Sequence, residues 1–144
     1  MALSPLRMQV TQMRVIQMML LVTVILFGVF VKGLQPTNAV TKPVNTILIL
    51  IGMLDAALGI GLRGKFLGPA ESALRENPAD VNAVARWRKW TITSLILAYS
   101  LGIYGFGLAM YGARRIEYLL FFAVSVALLL LWTPRLDIPS ETQG

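Results

Sequence analysis

The chain of 144 residues contains no cysteine and no histidine. Those absences exclude disulfides, thiolate nucleophiles, zinc sites built on Cys and His, haem held by either residue, and imidazole acid–base work. They say nothing of compartment. Charge is also scarce, at 14% of residues, where a soluble domain carries about 25%. No phosphate-cradling glycine loop, paired carboxylate or metal-ligand spacing occurs in the sequence. No cofactor and no metal are therefore expected, and the chain does not read as an enzyme.

What is present is apolar. Hydrophobic residues make up 56% of the sequence, more than a core of this size can hide from water, so lipid must solvate part of the surface. Uncharged runs predict four spanning helices over 15–31, 44–62, 91–113 and 118–133. At ~1.5 Å per residue these cover about 24 to 35 Å, against a hydrocarbon layer of ~30 Å. They must be helical, because a lone strand would leave backbone groups unpaired in lipid. The expectation is an all-α membrane protein, a four-helix bundle forming one integral domain over 1–144. Its second and third spans would make the tightly packed centre, and the bulky fourth would face lipid or a partner subunit.

Four spans put both termini and the middle loop, 63–90, on one side. That side carries Arg7, Arg14, Arg63, Lys65, Arg75, Arg86, Arg88, Lys89 and Arg135, and the other side Lys32, Lys42, Arg114 and Arg115. The imbalance predicts cytoplasmic termini, in the inner membrane if the source is bacterial. The pair Arg114-Arg115 runs against it. A cleaved signal peptide is disfavoured, because the first apolar run is long and the small residues Thr37-Asn38-Ala39 lie well past its end. The net charge of +6 flanks apolar runs, so its partners are expected to be anionic lipid headgroups and not nucleic acid.

In the loop, Gly64 and Gly68 are expected to weaken the helix leaving span two, and Pro69 to open a short helical turn. Asn77-Pro78 reads as an N-cap with proline following and Asp80 in the first turn of one long helix that becomes span three. Arg86, Trp87, Arg88, Lys89 and Trp90 then sit at the membrane surface, as an interface anchor or a docking surface for a soluble partner. Met13, Met18 and Met19 read as flexible packing groups.

Asp55 is the one charged residue inside a predicted span. An acid at such depth costs several kcal/mol if ionised, a disputed figure of order ~2–10. It shares a helical face with Leu48, Gly52, Ala56 and Gly59, and small residues there admit a second helix closely. It lies about 10 Å from its helix end, too deep for a short side chain to reach water. Hydroxyl partners could come from Thr46, Thr91, Thr93, Ser94, Tyr99 or Ser100. Its role is then either structural or, with Tyr99 or Ser100 nearby, proton or cation carriage in an oligomer. Span three adds a small-residue stripe, Ser94, Ala98, Gly102, Gly105, Ala109 and Gly112, that signals close helix packing and nothing catalytic.

Between Gly59 and Tyr111, the glycines Gly59, Gly61, Gly64 and Gly68 lead into Arg75-Glu76-Asn77-Pro78. Then come Ala98 and Gly102-Ile103-Tyr104-Gly105-Phe106. Over this third of the chain the sequence resembles the helical hairpin of rotary ATP synthase ring subunits, the proteolipid c subunits. The resemblance implies a membrane hairpin with its loop in the cytoplasm. It departs from the family where the ion-binding carboxylate would stand, at Tyr99. A phenol titrates near pH ~10 and does not cycle protons as a carboxylate does. Asp55 lies on the other helix, and the flanking spans are foreign to the two-helix form. The expectation is a small structural or accessory subunit of a larger membrane assembly, or a self-associating one.

Overall fold

The computed structural model describes residues 3–34 and 42–136. They form five α-helices: α1 (Leu3–Lys32), α2 (Lys42–Leu62), α3 (Gly68–Glu76), α4 (Val81–Met110) and α5 (Arg115–Leu131), with a π-helical turn, Arg63–Leu67, joining α2 to α3. No strand occurs among the described residues. Three helices are long and apolar enough to cross a membrane, over Pro5–Lys32, Pro43–Glu76 and Val81–Met110. At 17 residues, α5 reaches about 26 Å.

The bundle is built around α4, which packs against α1, α2, α3 and α5. Helices α1 and α4 run one way, α2 and α5 the other. The start of α1, the π-helical turn, α3, the start of α4 and the residues after α5 thus gather at one end. Val10, Met13, Leu67, Ala70, Leu74, Ala83 and Trp87 form the core there, with Leu136 against them. The nine basic residues of the predicted cytoplasmic side make this the basic end. Toward the other end, Leu21, Val24, Val31, Leu95, Ala98, Phe122, Leu129 and Trp132 form a second core.

Several boundaries differ from the sequence expectation. Helix α1 starts near Leu3, not at 15, because Leu6, Val10 and Met13 continue its buried stripe at spacings of four and three. Met13 is buried, whereas Met18 and Met19 are exposed. Gly64 and Gly68 do not break the chain. It stays helical from Lys42 to Glu76, taking a π-turn in which the Gly68 N–H donates to the Arg63 carbonyl. The break comes at 77–80, and Asp80, not Asn77, caps α4. Asn77 Oδ1 accepts from the Ala79 N–H at 3.2 Å in a local turn. Asp80 Oδ1 accepts from the Asn82 and Ala83 N–H groups at 2.9 and 3.2 Å, two of the helix's orphan donors.

The link to α5 is short. Gly112 takes a positive φ of 72°, and the Ala113 N–H donates to the Leu108 carbonyl at 2.9 Å, a Schellman ending that favours glycine. Helix α5 then packs inward with Phe121, Phe122, Ser125 and Leu129 buried, so its apolar bulk does not all face outward as expected. The small-residue stripe of α4 faces α5 and α1, not α2. Ser125 Oγ donates to the Ala98 carbonyl at 2.7 Å, and the α4–α5 packing is the most extensive in the bundle.

The carbonyl end of α5 is held by α1. Gln17, 3% exposed, donates through Nε2 to the Leu129 carbonyl and, at 3.0 Å, to Thr133 Oγ1. Arg14 Nε donates to the Pro134 carbonyl at 3.2 Å, placing a cation at the negative end of the helix. Replacing Gln17 by Leu leaves the Leu129 carbonyl without this donor. We expect a loss of about 1–2 kcal/mol, read as a lower unfolding midpoint of the full chain in one fixed detergent; an unchanged midpoint would refute this role.

Candidate functional site

Asp55 is held on the seam between α2 and α4. Its Oδ2 accepts a hydrogen bond from Ser100 Oγ at 3.0 Å and another from Tyr104 Oη at 2.9 Å. Ser100 Oγ also lies 2.7 Å from the Leu97 carbonyl, so its one proton is shared between two acceptors. Both bonds to Asp55 fall on one oxygen, and the side chain stays part-exposed. Its neighbours Ile51, Leu54 and Leu58 are exposed apolar residues, so the carboxylate opens onto an apolar outer surface.

The local sequence explains this arrangement. Ser100 and Tyr104 are four apart and share one face of α4, while Tyr99 is a step of about 100° away. The Tyr99 ring points toward α1 instead, 6.4 Å from that of Phe27. The structure thus brings Asp55 and Ser100 together and leaves Tyr99 out. The third member, Tyr104, lay outside the expected partners, although its i,i+4 relation to Ser100 was the signal that could have found it. Of the other hydroxyls considered, Thr93 and Ser94 bond backbone carbonyls of their own helix. Thr91 Oγ1 is buried with no hydrogen-bond partner among the described groups.

Glycines beside Asp55 serve α5 as well as α4. A Cβ on Gly52 would collide with the Phe121 ring, and one on Gly59 would stand 2.8 Å from the Trp132 ring. Two turns apart on α2, these glycines are notches for two aromatic rings, Phe121 of α5 and Trp132 just after it. Gly52 and Ala56 also line a small apolar groove of about 120 Å³ with Leu101 and Phe121. On α4, Ser94, Ala98, Gly102 and Gly105 are buried and Ala109 is half-buried.

At the basic end, Trp87 departs from the expected surface cluster. It is fully buried among Met13, Leu67, Ala70, Leu74 and Ala83. Arg86, Arg88 and Lys89 are exposed and Trp90 is part-buried. The Arg63 guanidinium lies over the Trp132 ring, 5.5 Å from its centroid. Comparison with family models, curated proteins and solved structures finds no match for the chain.

Proposed function

We propose that this chain is a small, non-catalytic integral membrane protein of four spans with cytoplasmic termini, and that it serves as a structural or accessory subunit of a larger membrane assembly. The observation that carries this reading is the half-open carboxylate of Asp55. Its own chain supplies two hydroxyl donors to one oxygen and leaves the side chain part-exposed among Leu54 and Leu58. With α2 across a bilayer, that surface lies at hydrocarbon depth, where an uncovered acid costs several kcal/mol, roughly 2 or more. A neighbouring membrane helix over the α2–α4 seam removes the cost. The sequence offers no nucleophile paired with an imidazole base, which supports a structural role over a catalytic one.

The test is Asp55→Leu in the full chain, extracted with its native membrane and weighed as an intact particle. The expected result is loss of partner mass. Unchanged mass together with a raised unfolding midpoint would mean that nothing covers the carboxylate, and would end this reading.

A second reading rests on the same three oxygens. A carboxylate and two hydroxyls form an oxygen-only set of the kind that takes hard cations or protons. Asp55 would then carry a proton or cation between subunits. Asp55→Asn is expected to abolish flux in proteoliposomes while keeping the particle mass. Persisting flux would remove the transport reading and leave the structural one standing.

A further inference from the structure

Two lysines and two aromatic rings from different elements meet at the basic end. The Phe66 ring, on the π-helical turn, stacks on the Trp90 ring of α4 with centroids 4.3 Å apart and planes 12° apart. Lys65 Nζ lies 5.5 Å from the Phe66 ring centroid, and Lys89 Nζ lies 5.3 Å from that of Trp90. The rings are part-buried and both lysines are exposed. The result is an aromatic slab with a long-stemmed cation against each ring.

The π-turn has a role in making it. A π-turn takes one more residue than an α-turn, so it shifts the phase of the downstream helix by about 100°. Lys65 and Phe66 lie inside that turn, where the backbone is re-aimed toward α4. Both glycines of the segment, Gly64 and Gly68, have open space where a Cβ would stand. Space alone therefore does not demand glycine there, and the turn is placed by its packing on α4.

The level of the slab along α4 identifies its partner. From Trp90 to Tyr111 the helix carries no charge, a length of about 30 Å that matches the hydrocarbon layer. Trp90 then stands at one boundary of that layer, where aromatic rings sit among headgroups. The cations beside it point to an anionic head, and the part-exposed rings offer apolar surface to the first carbons of an acyl chain.

We propose that Lys65, Phe66, Lys89 and Trp90 form a docking surface for an anionic phospholipid in the leaflet at the basic end. This surface is separate from the Asp55 seam, and it rests on α4 spanning the membrane. Vesicle flotation reports insertion independently of lipid choice, so failure of the spanning reading is distinguishable from failure of this one.

The experiment titrates the full chain in a neutral detergent with phosphatidylglycerol and with phosphatidylcholine, following Trp fluorescence and bound lipid by native mass spectrometry. Wild type is expected to bind phosphatidylglycerol more tightly than phosphatidylcholine. Lys65→Gln with Lys89→Gln should weaken the anionic lipid roughly thirtyfold. Arg86→Gln with Arg88→Gln removes as much charge nearby and should weaken it less than about threefold if the site is local. Equal losses from the two pairs, equal affinity for the two lipids, or equally tight binding of water-soluble glycerol phosphate would each overturn the proposal.

Discussion

Replacing Trp87 by alanine is expected to destabilise the chain by about 3–5 kcal/mol, the cost of emptying a packed aromatic site. Trp87 is 0% exposed. It sits where α1, the π-turn, α3 and the start of α4 converge, in contact with a core that includes Val10, Met13, Leu67 and Leu74. None of these elements can move in to fill the void without unpacking another. Trp87→Phe keeps most of the volume and should cost less than half as much. Arg86→Gln, on the neighbouring exposed position, should change stability by under about 0.5 kcal/mol. Unfolding midpoints of the three variants in one detergent check the ranking. A Trp87→Ala loss no larger than that of Arg86→Gln would place Trp87 on the surface instead.

That contrast shows what the letters carry and what they do not. Arg86-Trp87-Arg88-Lys89-Trp90 reads as an interface band, because tryptophans among basic residues at a span end usually are one. Membrane-level patterning cannot tell which tryptophan turns inward, since that depends on where α3 lies. The three long apolar runs within α1, α2 and α4 were legible because length and hydropathy alone set them. The start of α1 was not: Arg7 and Arg14 interrupt the apolar run, yet Leu6, Val10 and Met13 still bury because α3 and α4 extend alongside.

The Asp55 seam was legible in part for a similar reason. A lone acid marks its own helix, and the face it shares with Gly52 and Gly59 follows from the helical period. The partner helix cannot be ranked that way, because residues on α4 meet Asp55 only through the crossing of two antiparallel helices. Ser100 and Tyr104 satisfy that crossing, and Tyr99 faces Phe27. The inward turn of α5 was the least legible feature. Past its first turn, its one polar side chain is Ser125, which is buried and donates a hydrogen bond to the Ala98 carbonyl.

Gly102→Val is expected to force three helices of the bundle apart at one point. A Cβ at Gly102 would stand 2.8 Å from Val24 Cγ2, 3.1 Å from Val24 Cγ1 and 3.2 Å from Ser125 Oγ. Three helices are therefore close at one point, α1 and α5 from two sides of α4. Val24 is stiff at χ1 and 1% exposed, so it cannot rotate away. Ser125 cannot withdraw without giving up its bond to the Ala98 carbonyl. Over-packing of this kind costs about 1–3 kcal/mol for the first added carbons, and valine adds two more against α1 and α5. The expected outcome is an unfolding midpoint well below wild type, with Ala at the same site intermediate. Gly61→Ala is the control, since nothing lies within 4 Å of its would-be Cβ; it should be neutral or stabilising by up to about 1 kcal/mol. Equal midpoints for Gly102→Val and Gly61→Ala would show that α1 and α5 do not close on α4 at this point. A loss confined to Gly102 would place a close three-helix contact at α1–α4–α5, beside the close approach of α2 to α5 at Gly52 and Phe121.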